Sequence, residues 1–121
     1  MSLGEVQNSS YGAEDLRKEN TFQHILDTRE PCMYNHIAED SEGIMAKFSK
    51  EHNLPAEIGI PLFAIDEKTY LKYNRQIPDH VPIFGVIFLK RNKLYSTKEF
   101  NVTRKLFIQA GTILWRLYQE M

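Results

Sequence analysis

The sequence predicts an α+β layer sandwich, and three segments carry that prediction. Residues 81–89 form a continuous apolar run rich in β-forming side chains, as expected of a central strand buried on both faces. Ile58, Ile60 and Leu62 alternate with Gly59, Pro61 and Phe63, which is the two-residue period of a strand. Ser96 and Glu99 then stand three apart, as a capping box requires. Behind them Phe100, Phe107, Ala110, Leu114, Leu117 and Met121 recur at helical steps on one face, and Leu106 and Ile113 widen it. Two late strands followed by a long C-terminal helix must layer a helix on a sheet.

The remaining elements follow in order. Residues 1–20 are polar and read as a loose N-terminal segment, with Met1, Ser2 and Leu3 as an added leader, so the domain proper is residues 21–121. Residues 15–25 suit a helix whose apolar side is Leu16, Phe22 and Ile25. Residues 32–37 read as a short strand entering the acidic turn at Glu39 and Asp40. Asp40 or Ser41 can cap a helix over residues 42–52, with Ile44, Met45 and Phe48 on its apolar stripe. Asn53 and Pro55 end that helix. Pro61 cannot donate to a ladder, which makes its strand either an edge or irregular at that point. Residues 66–80 are polar and long for a strand connection, as functional or mobile loops are. Lys90, Arg91 and Lys93 end the last strand in solvent.

Composition excludes several function classes. The chain has 121 residues, 42% hydrophobic and 26% charged, enough for one core without disulfide or metal staples. Its 15 basic and 16 acidic residues nearly cancel, which argues against direct nucleic-acid or anionic-membrane binding. One cysteine, Cys32, excludes an internal disulfide and a multi-cysteine zinc cluster. The longest apolar run is too short to cross a bilayer, and no secretion signal opens the chain; the expectation is a cytoplasmic domain.

Catalytic signatures are also missing. No nucleophile elbow, phosphate-binding loop or dinucleotide glycine pattern occurs. His24, His36, His52 and His80 lie in no recognisable motif, and no metal site is expected. Cys32 reads as a small packed residue rather than a nucleophile. Glu39, Asp40 and Glu42 read as complementing a helix dipole rather than as acid-base groups. The expectation is a non-enzyme with no catalytic residue and no assigned cofactor.

The order of motifs resembles that of GAF domains, small sensor modules of signalling proteins. Residues 25–31 resemble that family's Thr-Gly-x-Pro element, with Arg29 where the family has glycine. Residues 32–37 resemble the following strand, and Asp40 stands near the family's aspartate. Gly59-Ile60-Pro61-Leu62 and residues 84–89 resemble the next two strands. Residues 95–100, with Leu106, Ala110, Ile113 and Leu114, resemble the closing turn and helix. The likeness covers about residues 21–121, and the family's first hairpin has no counterpart before Thr21, so the domain resembles a member shortened at its N-terminus. The bilin-binding and methionine-sulfoxide-reductase branches need cysteines that the chain lacks. Residues 92–100 echo the cyclic-nucleotide motif only as a generic turn into a helix. A haem-binding member would draw its axial ligand from His36 or His52, without a sequence feature favouring either.

The resemblance implies an antiparallel β-sheet with flanking helices in a GAF/PAS-like layer architecture. It implies a pocket on the sheet face opposite the terminal helix, beneath the 42–52 helix. Tyr34, Phe48, Ile60, Leu62 and Phe84 would be its walls, and Asn35, His36 and Tyr70 its polar contacts. The same apolar residues serve equally as ordinary core. Phe107, Ala110, Leu114, Leu117 and Met121 are expected to pair the terminal helix with a second copy, giving a homodimer. The function implied is sensory or regulatory, in a signalling or transcription-control protein, with a small-molecule ligand or a signal carried through that helix. The alternatives are a dimerisation scaffold that binds no ligand, and a small enzyme using histidines that no motif places.

Overall fold

A computed structural model of the chain describes residues 20–37 and 43–121. In order these form α1 (Asn20–Thr28), β1 (Cys32–Tyr34), α2 (Ile44–Glu51), β2 (Ala56–Phe63), α3 (Glu67–Lys72), β3 (Ile83–Arg91) and α4 (Thr97–Gln119). The expected loose segment over residues 1–20 and the start of the first helix at Asp15 lie outside the described residues. So do Asp40 and Ser41 as caps and the carboxylates Glu39 and Glu42.

The fold class is the expected α+β: the described residues form one antiparallel sheet in the order β1-β2-β3, with helices on both faces and a long terminal helix. Register sets Tyr34 opposite Glu57 and Cys32 opposite Gly59 on one side of β2. On its other side Lys90 stands opposite Glu57, and Phe88 opposite Gly59. Because side chains alternate, Glu57, Gly59 and Pro61 face one way and Ile58, Ile60 and Leu62 the other.

The first face receives α1. A Cβ on Gly59 would lie 2.5 Å from Ile25 Cδ1 and 3.2 Å from the Phe88 ring, so glycine is what lets α1 sit against the sheet. Ile25 is fully buried there. The second face receives α4 through its smallest residue: a Cβ on Gly111 would lie 3.0 Å from Leu62 Cδ2. Burying Ile25, Ile58 and Ile60 contributes about 1.5–3 kcal/mol each.

Two strand assignments are corrected. The 81–89 run is not a central strand buried on both faces; among the described residues β3 stands at the edge of the sheet, and it is half-buried along all nine residues. The strand containing Pro61 is the central one, buried at all eight positions. Pro61 is tolerated because the last β1 partner is Gly59, two residues earlier, and the β2–β3 register shifts just beyond it, between Leu62 and Phe63. The 66–80 connection holds a helix of its own, α3, capped by the Asp66 carboxylate accepting from the Thr69 N–H at 2.7 Å. Its Tyr70 closes a cluster with Phe63, Ile65 and Val81, against which Ile108 of α4 packs.

Arg29, in the position where the resemblance places glycine, has a left-handed φ of 60°. That conformation commonly ends a helix and costs a non-glycine residue about 1–2 kcal/mol. Here the guanidinium offsets it by donating to the Val81 carbonyl at 2.6 Å and lying over the Phe63 ring.

Candidate functional site

Among the described residues, three places combine polar or exposed apolar groups. The first lies on the α1/α2 face of the sheet. Lys90 Nζ is 2.5 Å from Glu57 Oε1 and donates to Ser49 Oγ of α2. The Glu57 side chain is wholly buried and that of Lys90 is 8% exposed. Lys90 is therefore not the solvated strand end that its neighbours suggest; a buried carboxylate one strand away holds it inside. Burial first, and then the Glu57 charge, push the neighbouring Cys32 thiol up to about 11. A thiol so placed is a packed residue with little thiolate.

A belt of polar contacts closes the same end of the sheet. The Asn35 amide donates to the Tyr95 carbonyl at 3.0 Å, and its oxygen accepts the Tyr95 N–H at 2.8 Å. Arg91 lies 3.8 Å from the Tyr95 ring centroid and donates to Glu99. The capping box forms as expected, with Ser96 Oγ accepting from the Glu99 N–H and Glu99 from the Ser96 N–H. The Arg91 guanidinium, followed by the Ser96 N–H, holds the Glu99 carboxyl down to about 2.

The second place is a pair of open clefts of about 250 and 240 Å³ at the C-terminal half of α4. Asp66, Thr69, His80, Trp115 and Gln119 help line the larger, and Glu67, Thr112 and Arg116 the smaller. Asp66 is held below the ordinary carboxylate range by the Thr69 N–H, so it presents a charge to both.

The third is the outward side of α4. Its sheet-facing side is Ile108, Gly111, Thr112 and Trp115 rather than the broad apolar stripe. That leaves Leu114, Leu117 and Met121 exposed at 41%, 49% and 97%. Val102, Leu106 and Ile113 are also exposed, while Phe107 and Ala110 are half-buried.

The residues named as pocket walls do not converge. Ile60 and Leu62 share the α4 face, and Leu62 fills the space beside Gly111. The register shift lets Phe84 reach the same face, where its ring lies 5.2 Å from Trp115 and 6.2 Å from Tyr118. Tyr34 belongs to the opposite face, beside Glu57. Phe48 packs its ring 4.2 Å from His52 of its own turn. Asn35 fastens the backbone at Tyr95, His36 is exposed, and Tyr70 is buried in the α3 cluster. The sheet thus separates the eight residues, and none of them lines either cleft.

Sequence reasoning missed Glu57 and Lys90. The one available signal is an acid inside an otherwise apolar strand, which in a central strand needs a partner. Among the described residues no group of three or more His, Cys, Asp or Glu side chains gathers to hold a metal ion, and no helix is long and apolar enough to cross a membrane. Comparison with protein-family models, with curated proteins and with solved structures returns no match for this chain.

Proposed function

We propose that the chain is a non-catalytic regulatory domain that acts by pairing its α4 helix with that of a second copy. One observation carries this reading: α4 uses only one side against the sheet and presents Leu114, Leu117 and Met121 to solvent. Exposed apolar residues contiguous on one helix side are characteristic of an interaction surface, whereas scattered ones are not. The α1/α2 face of the sheet, in contrast, is occupied by Ile25, Phe88 and the Glu57–Lys90–Ser49 group. The GAF-like order of motifs supports the same role, since in that resemblance the terminal helix carries the output.

The test is the double substitution Leu114→Glu with Leu117→Glu. Both sites are exposed, so the circular-dichroism spectrum stays unchanged while light scattering reports a monomer in place of a dimer. An unchanged mass refutes the reading.

A second reading, small-molecule sensing, is favoured by the position of the larger cleft. Trp115 and Gln119 of α4 line it together with Asp66, Thr69 and His80. A polar ligand seated there touches the helix end directly and shifts α4 pairing if it binds the paired and unpaired states unequally. Its test is a small-molecule screen read by Trp115 fluorescence; binding without any change in mass leaves the cleft uncoupled from pairing.

A further inference from the structure

We infer that the larger cleft beside the end of α4 binds a small, free organic ammonium ion, held between aromatic rings and the Asp66 carboxylate. The inference rests on the small-molecule-sensing reading of that cleft and names the chemical class of its ligand.

Charge separates the two clefts. In the smaller one, Asp66 and Glu67 stand with Lys68 and Arg116, so acid and base are matched. Among the described residues that line the larger one, Asp66 is the only carboxylate, and there is no lysine or arginine. Arg29 reaches the Pro78 and Val81 carbonyls, but its guanidinium is committed to them and to the Phe63 ring. The Thr69 N–H holds the Asp66 carboxyl below its ordinary range, so the acid is ionised at neutral pH. Gln119 places the cleft at the C-terminal end of α4, where a helix dipole is negative. Arg116 occupies the same turn but lines the smaller cleft. The larger cleft therefore attracts a cation.

The remaining lining decides which cation. A resident metal ion needs several oxygen, nitrogen or sulfur ligands, and among the described residues no three His, Cys, Asp or Glu side chains gather. The cleft offers apolar and aromatic surface instead. Ile65 and Val81, both part of the buried α3 cluster, line it, and Tyr73 and Trp115 contribute rings. Trp115 is backed by Phe84 at 5.2 Å and Tyr118 at 5.7 Å, so its ring is positioned before a ligand arrives. Tyr73 ends α3 and is 48% exposed. Ring faces attract cations through their quadrupole, tryptophan most strongly. A methylated ammonium carries its charge under an apolar shell, which suits rings and aliphatic side chains as well as a carboxylate. Thr69, His80 and Gln119 add hydrogen-bonding groups for a polar tail. The volume of about 250 Å³ lies below the roughly 300–1,000 Å³ of drug-sized sites, which keeps the ligand small.

Trp115 is the chain's single tryptophan, so its fluorescence reports on this cleft. The test titrates the protein with choline, with its uncharged isostere dimethylbutanol and with the anionic dimethylbutyrate, read by Trp115 emission and by calorimetry. Choline should bind at least about tenfold tighter than dimethylbutanol. Asp66→Asn keeps a good helix cap while removing the charge, and should weaken choline about tenfold without altering dimethylbutanol. Tyr73→Leu, at an exposed position, should also weaken choline. Asp79→Asn, exposed and outside the lining, should leave its affinity unchanged.

Choline binding no tighter than dimethylbutanol, or weakened equally by Asp66→Asn and Asp79→Asn, overturns the inference. Binding of dimethylbutanol or dimethylbutyrate in that case leaves the sensing reading standing. Tighter binding of a trimethyllysine peptide than of choline assigns the ammonium to a protein side chain and overturns the free ligand. Trp115 emission that responds neither to these compounds nor to a wider screen overturns both the inference and the sensing reading.

Discussion

Replacing Lys90 with methionine isolates the charge that the core contains. The substitution keeps most of the aliphatic stem, so little volume is lost. It leaves the Glu57 carboxylate, which is wholly buried, without the cation 2.5 Å from it. Removing one partner of a buried ion pair costs about 3–5 kcal/mol. The hydroxyl of Ser49 also loses its Lys90 donor, worth about 1 kcal/mol. For a domain of this size each kcal/mol lowers Tm by about 3–6 °C, so Lys90→Met should melt roughly 12–36 °C below the parent. Adding Glu57→Leu removes the stranded charge, and the double variant should recover most of the loss, because an apolar pair of similar volume often matches a buried ion pair. Urea denaturation of the three proteins measures the ladder directly. A Lys90→Met variant within about 1 kcal/mol of the parent, with no recovery in the double variant, would refute the buried-pair account.

Cys32 should react with a thiol-specific disulfide reagent at pH 8 about 100-fold more slowly in the folded protein than in urea, since its thiol moves from 9.0 up to about 11; equal rates would contradict its placement. Glu99 is held at about 2 against an ordinary 4.5, a depressed value, so the stability it confers is present above about pH 4.5 and is lost as pH falls towards 2. Glu99→Gln should accordingly flatten the fall in urea midpoint across that window, and an unaltered acid slope would count against the Arg91–Glu99 contact. Gly59→Ala places a methyl 2.5 Å from Ile25 Cδ1 in a filled core. It should lose about 1–3 kcal/mol in thermal denaturation, and a neutral result would mean that α1 does not dock there.

Local signals were the readable ones. The Ser96–Glu99 box joins residues three apart, so its reciprocal hydrogen bonds follow from spacing alone. The alternation over 58–63 likewise predicted a strand, and the fold class followed from strands preceding a long helix. Pairings across the sheet were not readable. Glu57 and Lys90 meet because of a register set by two strands 33 residues apart at that point. Phe84 reaches the α4 face because one register shift defeats simple alternation. The rotation of α4 was hidden for a different reason. Close approach to Leu62 requires a small residue, so Gly111 and Thr112 take the inward side and the larger apolar side chains turn outward. A pocket drawn from apolar residues alone therefore combined two faces that the sheet keeps apart. Edge and centre were exchanged because an apolar run and an alternating one both suit a strand, and the number of neighbours depends on tertiary order.

The mass of the unmodified chain across a concentration series tests the central claim most directly. Sedimentation equilibrium should follow a single reversible transition from 14.2 kDa towards twice that value, abolished by Leu114→Glu with Leu117→Glu. A mass that stays at 14.2 kDa to the highest concentration reached, with the helix folded, would contradict it.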